Sequence, residues 1–272
     1  MISINAQDKL VRFQHLTAKE GLSQGHVLCM IQDSKGYIWA GTYHGLNRYN
    51  GYDFDVFYAD NNIPYSLFID VVFSLFEDSK GKIWCGTWGV DVFDPATGTF
   101  SHIPANQGPN SISAGEVSAI VEYGSGIMWF ATQGGGLNKY DPVSGKITYF
   151  IVDETREDAL KSNFINDLVI DNNQFLWIAT EDGGLSKMNL ESKSFTTYRH
   201  DVSDPYSIPS DKISCLLKDR MGNLWLGDNN GFIACFIEEK NNLNAFIVVL
   251  RILSLKKPES WIWRRILREI SC

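Results

Sequence analysis

Five tryptophans, at 39, 84, 129, 177 and 225, constrain this chain more than any other feature, because they are spaced by 45, 45, 48 and 48 residues. Each sits in the same phrase. The first copy reads Ile31-Gln-Asp-Ser-Lys-Gly-Tyr-Ile-Trp-Ala-Gly-Thr42, and the second, Phe76-Glu-Asp-Ser-Lys-Gly-Lys-Ile-Trp-Cys-Gly-Thr87, nearly repeats it. Looser copies follow at Val121–Thr132, Ile170–Thr180 and Leu217–Asp228. A fixed period of this length is the signature of stacked structural units, none of which can bury its own faces alone.

Each unit parses into four short strands. The first alternates apolar residues, as in Val27, Cys29 and Ile31 or Val117, Ala119 and Val121, and a period of two marks a strand. Asp33-Ser-Lys-Gly36 and Asp78-Ser-Lys-Gly81 then read as tight turns. Asp binds the backbone beyond it, and Gly accepts positive φ. The second strand carries the Trp, expected to pack between units, with Gly41 letting neighbouring backbones approach. Glycine-rich turns lead to a third strand (Gly45–Tyr49, Gly136–Asp141) and then a fourth (Phe54–Phe57, Phe100–Ile103, Ile147–Phe150, Phe195–Tyr198). No sustained helical rhythm occurs before residue 230. The expected fold is all-β, a β-propeller of four-stranded antiparallel blades, with either five blades or an incomplete set of seven. Val11–Leu16 reads as an orphan outer strand and the fifth unit lacks a clear one, so Val11–Leu16 is a candidate to complete it.

Composition removes several classes of function. With 44% hydrophobic residues and 13% aromatics the chain is too apolar for disorder. A net charge of −8 disfavours a nucleic-acid partner, which needs a basic face. No apolar run is long enough to span a bilayer as a helix. The five Cys (29, 85, 215, 235, 272) are far apart and show no metal-ligand spacing.

The pattern Asp-x-x-Gly-x-hydrophobic-Trp-x-Gly-Thr followed by Gly-Leu-x-x-Tyr-Asp, with the connector Asp204-Pro-Tyr-Ser-Ile-Pro209 and its echoes Ile63-Pro-Tyr-Ser-Leu67 and Gly108-Pro-Asn-Ser-Ile112, resembles the two-component regulator propeller repeat. The resemblance covers residues 11–236 or so. It implies the periplasmic sensor region of a Bacteroides-type hybrid two-component system, with an oligosaccharide ligand released during glycan breakdown. It also implies a homodimer formed through the full-length sensor, and a membrane helix and histidine kinase supplied by segments outside this chain. The chain departs from the family pattern in having five units where seven are expected and in carrying no kinase motifs.

Three regions follow. Residues 1–10 read as a signal-peptide remnant, with Ala6 ahead of Asp8-Lys9, or as an internal start at Met1. Residues 11–237 hold the repeats. Residues 238–272 form a non-repeat basic tail, with seven Lys/Arg from Lys240 onward against two Glu, whereas the preceding residues carry 17 against 30 acidic ones. Out-of-frame translation is the expected origin of that tail. The alternative is an amphipathic helix with Trp263, Ile266, Leu267 and Ile270 on one face.

Catalytic readings are poor. The five His are scattered, and His15, His102 and His200 are expected to be solvated on or after outer strands. Gly134-Gly-Gly136 reads as a hairpin turn, since no strand-loop-helix context surrounds it. No cofactor, metal or catalytic residue is expected. Binding is better supported. Tyr43, His44, Trp88, Gln133, Glu181, Asp182, Asn229 and Asn230 occupy the turns between second and third strands and differ in type while their frame repeats. Tyr43 and Trp88 offer flat faces to a sugar ring, and the amides and carboxylates suit hydroxyls. The connectors add Asn61, Asn62, Tyr65 and Asn110. Two rival functions are a stand-alone metal-dependent lyase similar to streptogramin lyase, for which only His44 is well placed, and a protein–protein interaction scaffold.

Overall fold

A computed structural model describes residues 14–124, 126–171, 174–236 and 250–251. It is all-β there, with five four-stranded antiparallel sheets. The first holds β1 (Val27–Gln32), β2 (Ile38–Thr42), β3 (Leu46–Tyr49) and β4 (Phe54–Phe57). The second holds β5 (Ser74–Glu77), β6 (Ile83–Thr87), β7 (Gly89–Asp94) and β8 (Thr99–Pro104). The third comprises β9 (Val117–Tyr123), β10 (Ile127–Thr132), β11 (Gly136–Asp141) and β12 (Lys146–Phe150), and the fourth β13 (Ile165–Ile170), β14 (Phe175–Thr180), β15 (Leu185–Asn189) and β16 (Phe195–Tyr198). The fifth is β17 (Ile213–Lys218), β18 (Leu224–Asp228), β19 (Phe232–Phe236) and β20 (Leu250–Arg251). Strands run in chain order across every sheet, as a propeller blade requires.

The outer place of the fifth blade is taken by Leu250–Arg251, paired with Phe232 and Ile233. Of the sequence candidate for that place, residues 14–16 form no strand, and 11–13 lie outside the described residues. So do residues 1–10 and most of the tail.

The Asp of the repeat does more than shape a turn. Asp33 Oδ1 accepts the N–H groups of Lys35 and Tyr37, closing the hairpin, while Oδ2 accepts the indole N–H of Trp39 at 2.8 Å. The same indole bond recurs as Trp84–Asp78, Trp177–Asp171 and Trp225–Asp219, at 2.8, 3.1 and 2.9 Å. One carboxylate thus satisfies both a turn and the polar atom of the largest core side chain. In the third blade the position is Tyr123, and the buried indole N–H of Trp129 has no hydrogen-bond partner among the described residues.

The first four tryptophans lie between blades. Trp39 packs with Leu46 against Leu75, Ile83, Cys85 and Phe93 of the next blade. Such burial makes each ring worth about 3–5 kcal/mol against Ala. Gly41 is required there, since a Cβ would stand 2.6 Å from Cys29 Sγ and 2.7 Å from the Val72 carbonyl. The first two blade junctions are also clasped at the turns. Glu77 accepts the N–H and hydroxyl of Ser34, and Glu122 accepts those of Ser79.

The first strands β1, β5, β9, β13 and β17 pack each on the next, but the fifth blade does not pack back on the first beyond isolated positions. Repeat-equivalent residues show the consequence. Leu75, Ile120, Leu168 and Leu216 are buried, while their counterpart Met30 in the first blade is 51% exposed. At the other end Trp225 is only half-buried, where the four earlier tryptophans are buried. Among the described residues, the series of blades is therefore open between its last and first members.

Candidate functional site

The turns between second and third strands and the connectors entering first strands lie at one end of the blades, because each second strand ends opposite the start of its first strand (Thr42 opposite Val27, Thr132 opposite Val117). A repeated backbone rivet joins the two. Gly45, Gly89, Gly134 and Gly184 donate their N–H groups to the carbonyls of Asp70, Gly115, Asn163 and Asp211 in the following connector. Positive φ at all four makes glycine the residue that fits. The frame is fixed, and the intervening side chains are free to vary.

Tyr43 and Trp88, 47% and 59% exposed, present open aromatic faces on this end. Tyr43 meets His26 edge-on at 5.1 Å, and Trp88 lies over Gly115, whose Cβ would fall within 3.6 Å of its ring. Trp88 also bridges Glu116 through the backbone, and partial burial raises the Glu116 carboxyl above the usual glutamate range. His44 is exposed, with Nδ1 3.1 Å from Asp70 and its ring 5.0 Å from that of Tyr58.

Across the third to fifth blades the polar residues form a chain. Gln133 Nε2 donates to Asn166 Oδ1 and to the Ile165 carbonyl. Asn166 Nδ2 donates to Glu181 and to the Ile213 carbonyl, and Glu181 lies 3.9 Å from Lys212. Asp182, Asn229 and Asn230 are exposed, and Asn230 is turned back onto Asp228. Gln133 and Glu181 are brought together through Asn166, with Asp182 beside Glu181; Tyr43 with His44, Trp88 alone, and Asn229 with Asn230 stand on three other turns. Sequence reasoning missed His26, Asp70, Asn166 and Phe164, all just before or at the start of first strands. Phe164 is 49% exposed, and its backbone pairs with Gln133. A bulky aromatic at a strand entry was the available signal.

His102 requires a correction. It is not solvated: its ring stacks on Phe68 at 3.9 Å, and Nδ1 lies 3.3 Å from the fully buried carboxylate of Asp91. His15 and His200 are exposed as expected. Among the described residues no group of three or more His, Cys, Asp or Glu is placed to hold a metal ion.

The two-component regulator propeller model matches residues 21–44, 66–89, 159–182 and 207–230. The chain carries two-component regulator propeller repeats. The blade left unmatched is the third, where Tyr123 replaces the turn Asp. The histidine kinase P4 of Formosa agariphila is 39% identical over 56 residues, 21% of this chain and 4% of that protein. Among solved structures, the extracellular domain of the hybrid two-component system BT3049 from B. thetaiotaomicron superposes with a TM-score of 0.72 at 25% identity, over 86% of this chain and 32% of that one. The corresponding domain of BT4673 from the same organism gives 0.70 at 21% identity, over 89% and 33%. The chain therefore spans about a third of each of these two solved chains. An inactive virginiamycin B lyase from Staphylococcus aureus shares the fold at 14% identity, with a TM-score of 0.62 over 85% of this chain and 72% of that one.

Proposed function

We propose that this propeller is the ligand-sensing region of a periplasmic or extracellular two-component sensor. It binds a glycan-derived oligosaccharide on the end that carries the second-to-third strand turns. The signal passes to a kinase outside this chain, within a homodimer of the full-length sensor. The observation that carries the reading is the pairing of open aromatic faces at Tyr43, Trp88 and Phe164 with the Gln133–Asn166–Glu181 chain on that same end. Flat apolar faces suit pyranose rings, and a row of amides and carboxylates suits their hydroxyls. The repeats shared with two-component regulators supply the signalling context.

A panel of neutral and acidic oligosaccharides tests this by thermal shift. A neutral member is expected to raise the melting temperature without being consumed, and Trp88→Ala to weaken that shift. Stabilisation that survives both Trp88→Ala and Tyr43→Ala would remove the proposed site. The lyase alternative draws on the exposed His44–Asp70 pair and on the fold shared with virginiamycin B lyase. Metal-dependent consumption of a substrate, abolished in His44→Ala, would favour it instead.

A further inference from the structure

The second blade carries a pocket of about 480 Å³ on its outer side, between the connector that enters the blade and the outer strand β8. Asp60, Ile63, Tyr65, Ser66, Phe68 and His102 line it. The third blade shows what fills this place when the protein fills it from within. Asp91 and Asn138 are equivalent third-strand residues, each accepting the N–H of a connector residue, Phe68 in one case and Ser113 in the other. Opposite them on the outer strands stand His102 and Tyr149. The connectors match as well: Tyr65 and Asn110 both adopt positive φ, 65° and 64°, directly before Ser66 and Ser111. In the third blade the Tyr149 hydroxyl donates to the Ser111 carbonyl at 2.8 Å, so a phenol ring spans the gap between strand and connector.

In the second blade the residue at that position lines the gap without bridging it. The buried Asp91 carboxylate stands 3.3 Å from His102 Nδ1, and Phe68 stacks on the imidazole. Neither ring nitrogen of His102 has a hydrogen-bond partner among the described residues, so the imidazole makes no bond to the Ser66 carbonyl like the one Tyr149 makes to that of Ser111, and the pocket stays open beside it. Phe68 remains 56% exposed and Tyr65 73% exposed, so aromatic surface faces the space. We infer that this pocket is a second ligand site, on the outer side of the second blade and apart from Tyr43, Trp88 and the Gln133–Asn166–Glu181 chain, and that it takes a small phenolic ring. The ring would stack on the aromatic wall, and its hydroxyl would donate to the Ser66 carbonyl as Tyr149 donates to that of Ser111.

The probe is p-cresol, with toluene as the ring that lacks the hydroxyl, followed by amide chemical shifts in the intact chain. p-Cresol is expected to shift the signals of residues 60–68 and 100–102 saturably. Toluene should bind about fivefold more weakly, the loss that one hydrogen bond of ~1 kcal/mol gives. The double variant Asp91→Asn/His102→Tyr installs the third-blade residues and should abolish p-cresol binding while raising the melting temperature. If that variant fails to fold, Phe68→Ala, at an exposed position, should still cut the affinity about tenfold through loss of stacking. No saturable shift, equal binding of toluene, or undiminished binding by the folded double variant or by Phe68→Ala would each overturn the inference.

Discussion

Removing one carboxylate from the first blade should cost far more than a surface turn residue ordinarily does. Asp33→Ala deletes three hydrogen bonds at once: two that close the hairpin, from Lys35 and Tyr37, and one from the indole of Trp39. The hairpin donors lie near solvent and can recruit water. The Trp39 side chain is 1% exposed, so its N–H would be left buried and unpaired. An orphaned buried donor costs about 1–3 kcal/mol, and a bond to a charged acceptor contributes about 1.5–3 kcal/mol. These overlap, and the expected loss is about 2–3 kcal/mol. For a chain of this size that lowers the melting temperature by roughly 5–10 °C. The third blade is the built-in comparison, since Trp129 has no hydrogen-bond partner among the described residues. Trp129→Phe should cost only packing, while Trp39→Phe should also strand the Asp33 carboxylate. Urea unfolding of Asp33→Ala, Trp39→Phe and the double variant isolates the pair, with an expected coupling of about 1–2 kcal/mol. Additive effects, or a loss below about 0.5 kcal/mol for Asp33→Ala, would refute the role given to the bond.

Three further outcomes follow from the same structure. Leu75→Ala should lose about 2–4 kcal/mol by opening a cavity between blades, and Met30→Ala, at the uncovered counterpart, less than about 1, both read from urea midpoints. Gly86→Ala places a Cβ 2.1 Å from Ser74 Oγ and 2.4 Å from the Val117 carbonyl and should destabilise by about 1–3 kcal/mol; the companion change Ser74→Ala, which recreates the third blade's Ala119–Ala131 pair, should recover part of it. Burial opposes ionisation of Asp219, but hydrogen bonds from Trp225, Asn223 and the Met221 N–H outweigh it and hold the carboxyl below the usual aspartate range. A depressed native value means that its stabilisation is fully present above the unfolded value near ~3.9 and is lost as pH falls through the lower native one. Asp219→Asn should therefore flatten the acid limb of a stability–pH profile below about pH 4, and an unchanged limb would exclude the assignment.

The blade count and strand order could be read from the tryptophan spacing, because each blade repeats the same solution to covering two sheet faces. The hairpin role of Asp33 and the close approach at Gly41 were legible for the same reason. The Asp–Trp bond was not. Six residues separate the partners, and only the folded-back turn brings the carboxylate over the indole. His102 misled because alternation on an outer strand points to solvent, while a connector residue, Phe68, and a third-strand carboxylate, Asp91, reclaim it. The outer strand of the fifth blade is two residues long and carries no turn signal of its own. At the proposed binding end the turn residues were visible as variation within a fixed frame. Asn166 and Phe164 were hidden at strand entries, where the pattern reads as core.

Hydrogen exchange with and without an oligosaccharide identified by thermal shift tests the central claim most directly. Ligand is expected to slow exchange in the turns at 42–45, 87–89, 132–136 and 180–184, and in the connector residues riveted to them. It should leave the opposite turns, around Asp33, Asp78 and Asp219, unchanged. Protection confined to those opposite turns, or spread evenly over the chain, would contradict a binding site on the proposed end of the blades.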